Sequence, residues 1–271
     1  TTFNPPPRFH KMSVAALANF AVDVPTQFTA LLEQRAGLSN GQILLFMLGF
    51  QCVSVVLLLR VHAARGGLAT LTRLMLFYGI CAGGVAIECR VPLFKHGIKD
   101  LGFDLLGGVK ALTEASPAAN GALAAANTLV VIGGTLYAVI TGLKDGRWQM
   151  LTKGAVCIVV RVVFGLATQL PVPQGYQAVD GDWPPATGSC LGFIFNPSGH
   201  VIGVTLLALE LRGRGWTAAA LATDAVNVLQ TLRLVALQGH YTIDVLTALL
   251  IAHAVDPRVE ALMALKKKQK T

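Results

Sequence analysis

Charge is what this chain has least of. Charged residues make up 13% of its 271 residues, against roughly a quarter in a soluble domain. Hydrophobic residues make up 54%, and mean hydropathy is +0.60. These values exclude an ordinary water-soluble globule. The chain is long enough for about six or seven helical crossings, with little left for a soluble domain. Acidic residues are the scarcer sign, 14 against 22 Lys and Arg, for a net charge of +8. No acidic cluster of the kind that holds Mg2+ is present, and no cofactor or nucleic acid is expected. The five cysteines fall mostly inside apolar runs. They form no CxxC pair and no Cys/His ligand spacing, which argues against a disulfide framework or a zinc site. The first residue is Thr1, as in a processed or trimmed chain, so any targeting peptide would be out of view.

The apolar runs predict an all-α polytopic bundle. Residues 1–40, broken by Pro25, read as an interfacial or peripheral arm. Spans are expected at 41–62, 68–91, 120–143 and 151–170, with Arg73 snorkelling near the start of the second. Residues 92–119 interleave Lys95, Lys99, Asp104 and Lys110 with Phe94, Leu101, Phe103 and Leu106, the pattern of a segment lying on a membrane surface. A Pro- and Gly-rich loop follows the fourth span. Shorter spans are expected at 199–211, 216–237 and 240–255. In domain terms, 1–62 reads as an arm plus an extra hydrophobic segment, 63–256 as the membrane domain and 257–271 as a basic tail. Alternate threading puts the turns at 62–67, 144–150 and 212–215 and the C-terminus on one side. That side holds 13 of the 22 Lys and Arg, against 7 on the other and two, Arg161 and Arg233, inside spans. The basic side is expected to face cytoplasm or matrix, with the active side opposite, in the endoplasmic reticulum or the mitochondrial inner membrane.

Two stretches on that other side carry chemistry: FNPSGH, ending at His200, and QGHYTID, with His240 and Asp244. Each precedes a short apolar run, and ionisable groups at membrane depth are costly enough to mark a functional site by default. If the last helix starts near Gly239, His240 and Asp244 share one face, and the carboxylate reaches the imidazole. A His held by a carboxylate suits nucleophilic or general-base work, and a second His on a neighbouring helix end supplies the acid. The plainer alternative is a pair of interfacial capping residues. Arg161 and Arg233 lie inside apolar spans. Either they converge on the histidines to hold a phosphate, a task for which the planar guanidinium is suited, or they are neutralised by Asp224, Glu210 or Glu88. Asp224 is expected to orient one of the two or to face the ligand as an acid, and Thr168, seven after Arg161, to share its face.

The combination resembles a known family. Leu170-Pro-Val-Pro173 with Arg161 upstream, Ser198-Gly199-His200, and His240-Tyr-Thr-Ile-Asp244 are similar to the motifs of the type-2 phosphatidic acid phosphatase superfamily, in its sphingomyelin synthase-like branch. The resemblance is closer still to the plant phosphatidylcholine:diacylglycerol cholinephosphotransferases. There it takes in DLGF at 100–103, the AxNT region near 126–128, TQLPVP, and DAVNVLQTLRL before GHYTID, spanning about 68–255. Three features depart from the superfamily pattern. The spacing from Arg233 to His240 is one residue longer than in the phosphatases, Leu232 stands where they have Ser, and 41–62 has no counterpart in a six-helix core.

The resemblance implies a metal-independent lipid phosphotransferase. His240 would attack phosphorus and carry a phosphocholine-type group, Asp244 would hold its imidazole, and His200 would act as acid and then base. Arg161, Arg233, Ser198 and Gly199 would bind the phosphate. Phosphatidylcholine and diacylglycerol would be the substrates. Choline favours aromatic faces. Tyr176, Trp183, Phe193, Phe195 and Tyr241 are headgroup candidates, or else an interfacial aromatic belt. A reading of another class is a structural subunit of a large membrane complex, with a mitochondrial setting as one option, whose partner subunits would cover the extra N-terminal segment. A sphingomyelin synthase-like enzyme or a lipid phosphate phosphatase is the remaining alternative.

Overall fold

The computed structural model describes residues 39–61, 66–88, 98, 100–168, 170–173, 176 and 196–268. They form helices, with no strand among the described residues: α1 Asn40–Val61, α2 Gly67–Glu88, α3 Leu101–Leu105, α4 Gly107–Ala115, α5 Pro117–Asp145, α6 Gln149–Ala167, α7 Gly199–Gly213, α8 Thr217–Ala236 and α9 Thr242–Lys268. Four of these, α1, α2, α5 and α6, are long and apolar enough to cross a bilayer. The chain is an all-α polytopic membrane bundle.

Its surface is inverted relative to a soluble protein. Leu45, Phe46 and Val53 of α1, Leu68 and Met75 of α2, Leu129 and Leu136 of α5, and Leu246 and Leu250 of α9 point outward. Gln51, Asn127, Lys153, Thr205, Asn227, Gln230 and Arg233 point inward. With lipid outside, apolar burial alone cannot order helices, so interior polar bonds and close packing do. Gln51 Nε2 donates to the Ile80 carbonyl at 2.9 Å, joining α1 to α2, and Asn227 Nδ2 donates to Thr205 Oγ1 at 2.9 Å, joining α8 to α7.

α7 is the hub, touching α5, α6, α8 and α9. Val201, Ile202, Val204, Thr205, Leu206, Leu207, Ala208 and Leu211 are all buried, so it is covered on nearly every face. This accounts for its 15 residues. A helix wrapped by neighbours does not need the roughly 20 apolar residues of a lipid-facing span.

The end of α1, the α5–α6 turn and the α7–α8 turn gather at one end. Arg73 Nη2 donates to the Val61 carbonyl at 2.6 Å, and its guanidinium lies 5.1 Å from the Trp148 ring centroid. Arg214 sits 4.9 Å over the Tyr137 ring, which also tilts against Trp216. Arg73 is 3% exposed, so it does not snorkel as the sequence suggests. It closes the end of α1 and stacks on an aromatic face instead. At the other end lie the starts of α5, α7 and α9, crossed by α3 and α4 from the expected surface segment. The last span is expected to stop at 255, yet α9 continues through Pro257 to Lys268. There Asp256 and Glu260, one turn apart and flanking the proline, both hold Lys153 Nζ of α6, at 2.6 and 2.7 Å.

Candidate active site

The site is assembled where α7 and α9 begin. Ser198 caps α7, its side chain accepting from Val201 N–H at 3.5 Å. Its own N–H donates to the Asp244 carbonyl at 3.3 Å, so the two motif stretches lie side by side. Gly199 and His200 open α7, and the N-terminus of a helix favours an anion.

His240 and Asp244 meet, though not on a helical face. α9 starts at Thr242, and His240 precedes it. Asp244 Oδ2 accepts from Tyr241 N–H at 3.0 Å, folding the carboxylate back over the helix start as in one half of a capping box. The same oxygen stands 3.4 Å from His240 Nδ1, a little longer than an ordinary hydrogen bond. Asp244 is 2% and His240 5% exposed. The turn into His240 is tight: Gly239 N–H and His240 N–H both donate to the Leu234 carbonyl, and Gln238 takes a left-handed φ of 58°. This turn closes the Arg233–His240 spacing noted above.

Arg161 lies beside the start of α7. Its Nε donates to the Pro197 carbonyl at 2.7 Å, Asn196 Nδ2 donates to the Arg161 carbonyl at 3.0 Å, and a Cβ on Gly199 would lie 3.8 Å from that Nε. Arg233, 1% exposed, donates from Nε to Asn120 Oδ1 at 2.5 Å, one residue before the carbonyl that receives His240 N–H. Asp224 does not serve either arginine. It pairs with Arg212 on the surface of the opposite end, and Glu210 pairs with Arg214 at 2.8 Å. Thr168 is an exposed, extended residue past the end of α6, so the seven-residue face expected with Arg161 ends before it.

Tyr241 is 1% exposed, donates its hydroxyl to the Pro171 carbonyl at 2.9 Å and stacks on Phe103 at 5.3 Å. It fastens the LPVP stretch to the site and presents no open face to a headgroup. Tyr176, half-buried, has its ring 4.0 Å from where a Gly239 Cβ would stand. Trp183, Phe193 and Phe195 lie outside the described residues, as does the side chain of Glu88. Among the described residues, no three His, Cys, Asp or Glu side chains gather as a metal ion would need.

One residue the site reading passes over is Asp100. Its Oδ2 accepts from Thr242 N–H at 2.7 Å and its Oδ1 from Thr242 Oγ1 at 2.6 Å and Gly102 N–H at 2.7 Å. One carboxylate thus caps both α3 and α9, two residues from His240. The DLGF motif was the available signal. What it lacked was the partner, which lies 142 positions away.

The AtPDCT1/2 family model matches residues 99–259, a stretch that begins at α3 and takes in every site residue just placed. Phosphatidylcholine:diacylglycerol cholinephosphotransferase 1 of Arabidopsis thaliana is 37% identical over 145 residues, 54% of this chain and 47% of that protein. Phosphatidylcholine:diacylglycerol cholinephosphotransferase 2 of the same plant is 35% identical over 146 residues, 54% and 48% of the two chains. The chain spans about half the length of the curated relatives it matches. No solved structure matches it. The family match covers more than half of the chain and spans both histidine motifs, so the chain belongs to the AtPDCT1/2 family.

Proposed function

We propose that this protein is a membrane-embedded phosphotransferase that moves phosphocholine from phosphatidylcholine to diacylglycerol through a phosphohistidine. The observation that carries the reading is the buried His240–Asp244 pair, tied by a backbone bond to the capped start of the helix that bears His200. Family membership supports the same reading.

The chemistry follows from the donors at hand. Asp244 accepts from Nδ1–H of His240, which leaves the Nε2 lone pair to attack phosphorus. The bond from phosphorus to the glyceride oxygen breaks, and protonated His200 gives that oxygen its proton, releasing diacylglycerol. An incoming diacylglycerol hydroxyl then attacks phosphorus. His200 takes its proton back, and the P–N bond breaks. Charge on the non-bridging oxygens is met by Arg161, by Arg233 and by the amides of Gly199 and His200. With diacylglycerol as acceptor, reactants and products are chemically alike, so the exchange runs both ways. The site lies at the end opposite the basic turns, and the lysine and arginine bias supports the non-cytoplasmic or non-matrix face for it.

The test supplies labelled diacylglycerol and unlabelled phosphatidylcholine to purified protein. Labelled phosphatidylcholine should appear at a rate unaffected by Mg2+ or EDTA. Free phosphocholine as the main product would make the protein a hydrolase. Preferential sphingomyelin formation when ceramide is offered would move it to the sphingolipid branch. No product from folded protein would favour the structural-subunit reading.

A further inference from the structure

A cavity of about 200 Å³ runs down the bundle between α2, α5, α6 and α7. Its upper end is bounded by Arg161 and Gly199, both at the candidate active site, and its lower end by Phe77 and Leu151. Arg161 and Leu151 are ten residues apart on α6, or about 15 Å at 1.5 Å per residue. That is half of a hydrocarbon core of roughly 30 Å, the depth of one leaflet. Below Arg161 the lining is almost wholly apolar. Val131, Thr135 and Cys81 line it and are only half-buried, so it reaches the lipid-facing surface between α2 and α5.

We propose that this cavity is the slot for one acyl chain of the glycerophospholipid donor. The proposal rests on the phosphotransferase reading for the identity of that donor. The slot places a cation and a helix N-terminus at the phosphate end, one leaflet of apolar wall below them and a side opening to the bilayer. A free anion would find no use for the apolar shaft, and water would find few partners in it. The space itself exists because side chains are absent. Gly203, one turn below Gly199, would place a Cβ with nothing within 4 Å. Gly154, seven residues below Arg161, would place one 3.8 Å from the Phe77 ring, an ordinary contact. Lipid tails are as apolar as these walls, so the slot does not act by attraction. It acts by shape, fixing the glycerol carbon and its phosphate against His240.

The two glycines sit at different depths, which makes the test graded. Gly203→Leu plugs the slot about 6 Å below Gly199 and Gly154→Leu about 10 Å below Arg161. Transfer is measured with dioctanoyl- and dioleoyl-phosphatidylcholine in mixed micelles. Gly154→Leu should lower kcat/KM for the dioleoyl donor at least tenfold and leave the dioctanoyl donor within about twofold. Gly203→Leu should lower both. Gly154→Ala, which the contacts tolerate, should show a smaller shift in the same direction. An unchanged chain-length preference in folded variants would overturn the slot. A second readout does not need turnover: phosphatidylcholine with a diazirine midway along one chain should label peptides of α6 and α7. Labelling confined to helices that do not line the cavity would overturn the slot even in a protein without transferase activity, whereas slot labelling without transfer would sink only the phosphotransferase reading.

Discussion

At the scale of single residues, Asp244 carries the most. It is 2% exposed, and one of its oxygens serves both the Tyr241 amide and the His240 ring. Asp244→Asn keeps the shape, and its amide oxygen can still accept from Tyr241 N–H. What it loses is the carboxylate charge beside the ring and the firm choice of the tautomer with Nε2 free. Turnover should fall by about 10²-fold or more, by analogy with other His–Asp pairs, with little change in thermal stability. His240→Ala should abolish transfer and abolish acid-labile phosphate trapped on the protein. Steady-state exchange of labelled diacylglycerol with phosphorus-labelled trapping checks both. Near-normal activity in Asp244→Asn removes its assigned role, and phosphate trapped on His200 instead of His240 exchanges the two histidines. The candidate residues were legible because they stand in short stretches, Ser198-Gly199-His200 and His240 through Asp244, and the fold does bring the two stretches side by side. The mode of contact was less so. A spacing of four suggested a helical face, whereas the pair forms across a helix start, since cap geometry depends on where the backbone turns.

At the scale of elements, helices were legible from apolar runs, and their attachments were not. Lys153 reads in sequence as one more basic residue near a turn. In the fold it is 2% exposed, inside α6, and holds Asp256 and Glu260 across Pro257. Its partners lie 103 and 107 residues away, so no local pattern reveals them. Lys153→Met removes the only ammonium at this contact among the described residues and leaves Asp256, 19% exposed at its side chain, next to apolar neighbours. Breaking a buried pair costs about 3–5 kcal/mol. Glu260 is 60% exposed, so part of the interaction is screened, and about 1–3 kcal/mol is expected here. The loss should be local before it is global. Hydrogen exchange in α9 beyond Pro257 should quicken first, while the amides around Thr242, held by Asp100, stay protected. Uniform quickening along α9, or none, would show that the ion cluster does not carry the helix past its proline. The same reasoning explains the arginine pairing. Asp224 was a reasonable partner for an intramembrane arginine by composition. The fold instead placed it one turn-end away from Arg212, on the surface.

At the scale of the whole molecule, the arrangement fixes a polarity. α5 has 29 residues, about 44 Å of helix, well beyond a hydrocarbon core of roughly 30 Å, so it is long enough for its two ends to stand on opposite sides of a membrane. Its first turn holds Asn120, the partner of Arg233 in the candidate site. Its last turn runs into Gly146, whose left-handed φ of 66° ends the helix, and then into Arg147 and Trp148 at the end where the basic turns gather. The two faces therefore differ in kind: one carries the histidines and the surface helices α3 and α4, the other the arginine–aromatic contacts. Positive turns are retained on the side of synthesis, so the Lys144 end should face cytoplasm or matrix. Ser116, just before α5, and Lys144, in its last turn, are both exposed, which makes them direct reporters. Ser116→Cys and Lys144→Cys, each compared with the parent chain for its native thiols, are treated in sealed vesicles of known orientation with a membrane-impermeant maleimide. Ser116→Cys should label from the luminal or intermembrane side, and Lys144→Cys only once the vesicles are opened from that side. Labelling of both from one side would overturn the crossing of α5 and with it the placement of both histidines at one membrane face. The reverse order would keep the bundle but turn the site toward cytoplasm or matrix, where its lipid substrates would have to be drawn from the other leaflet.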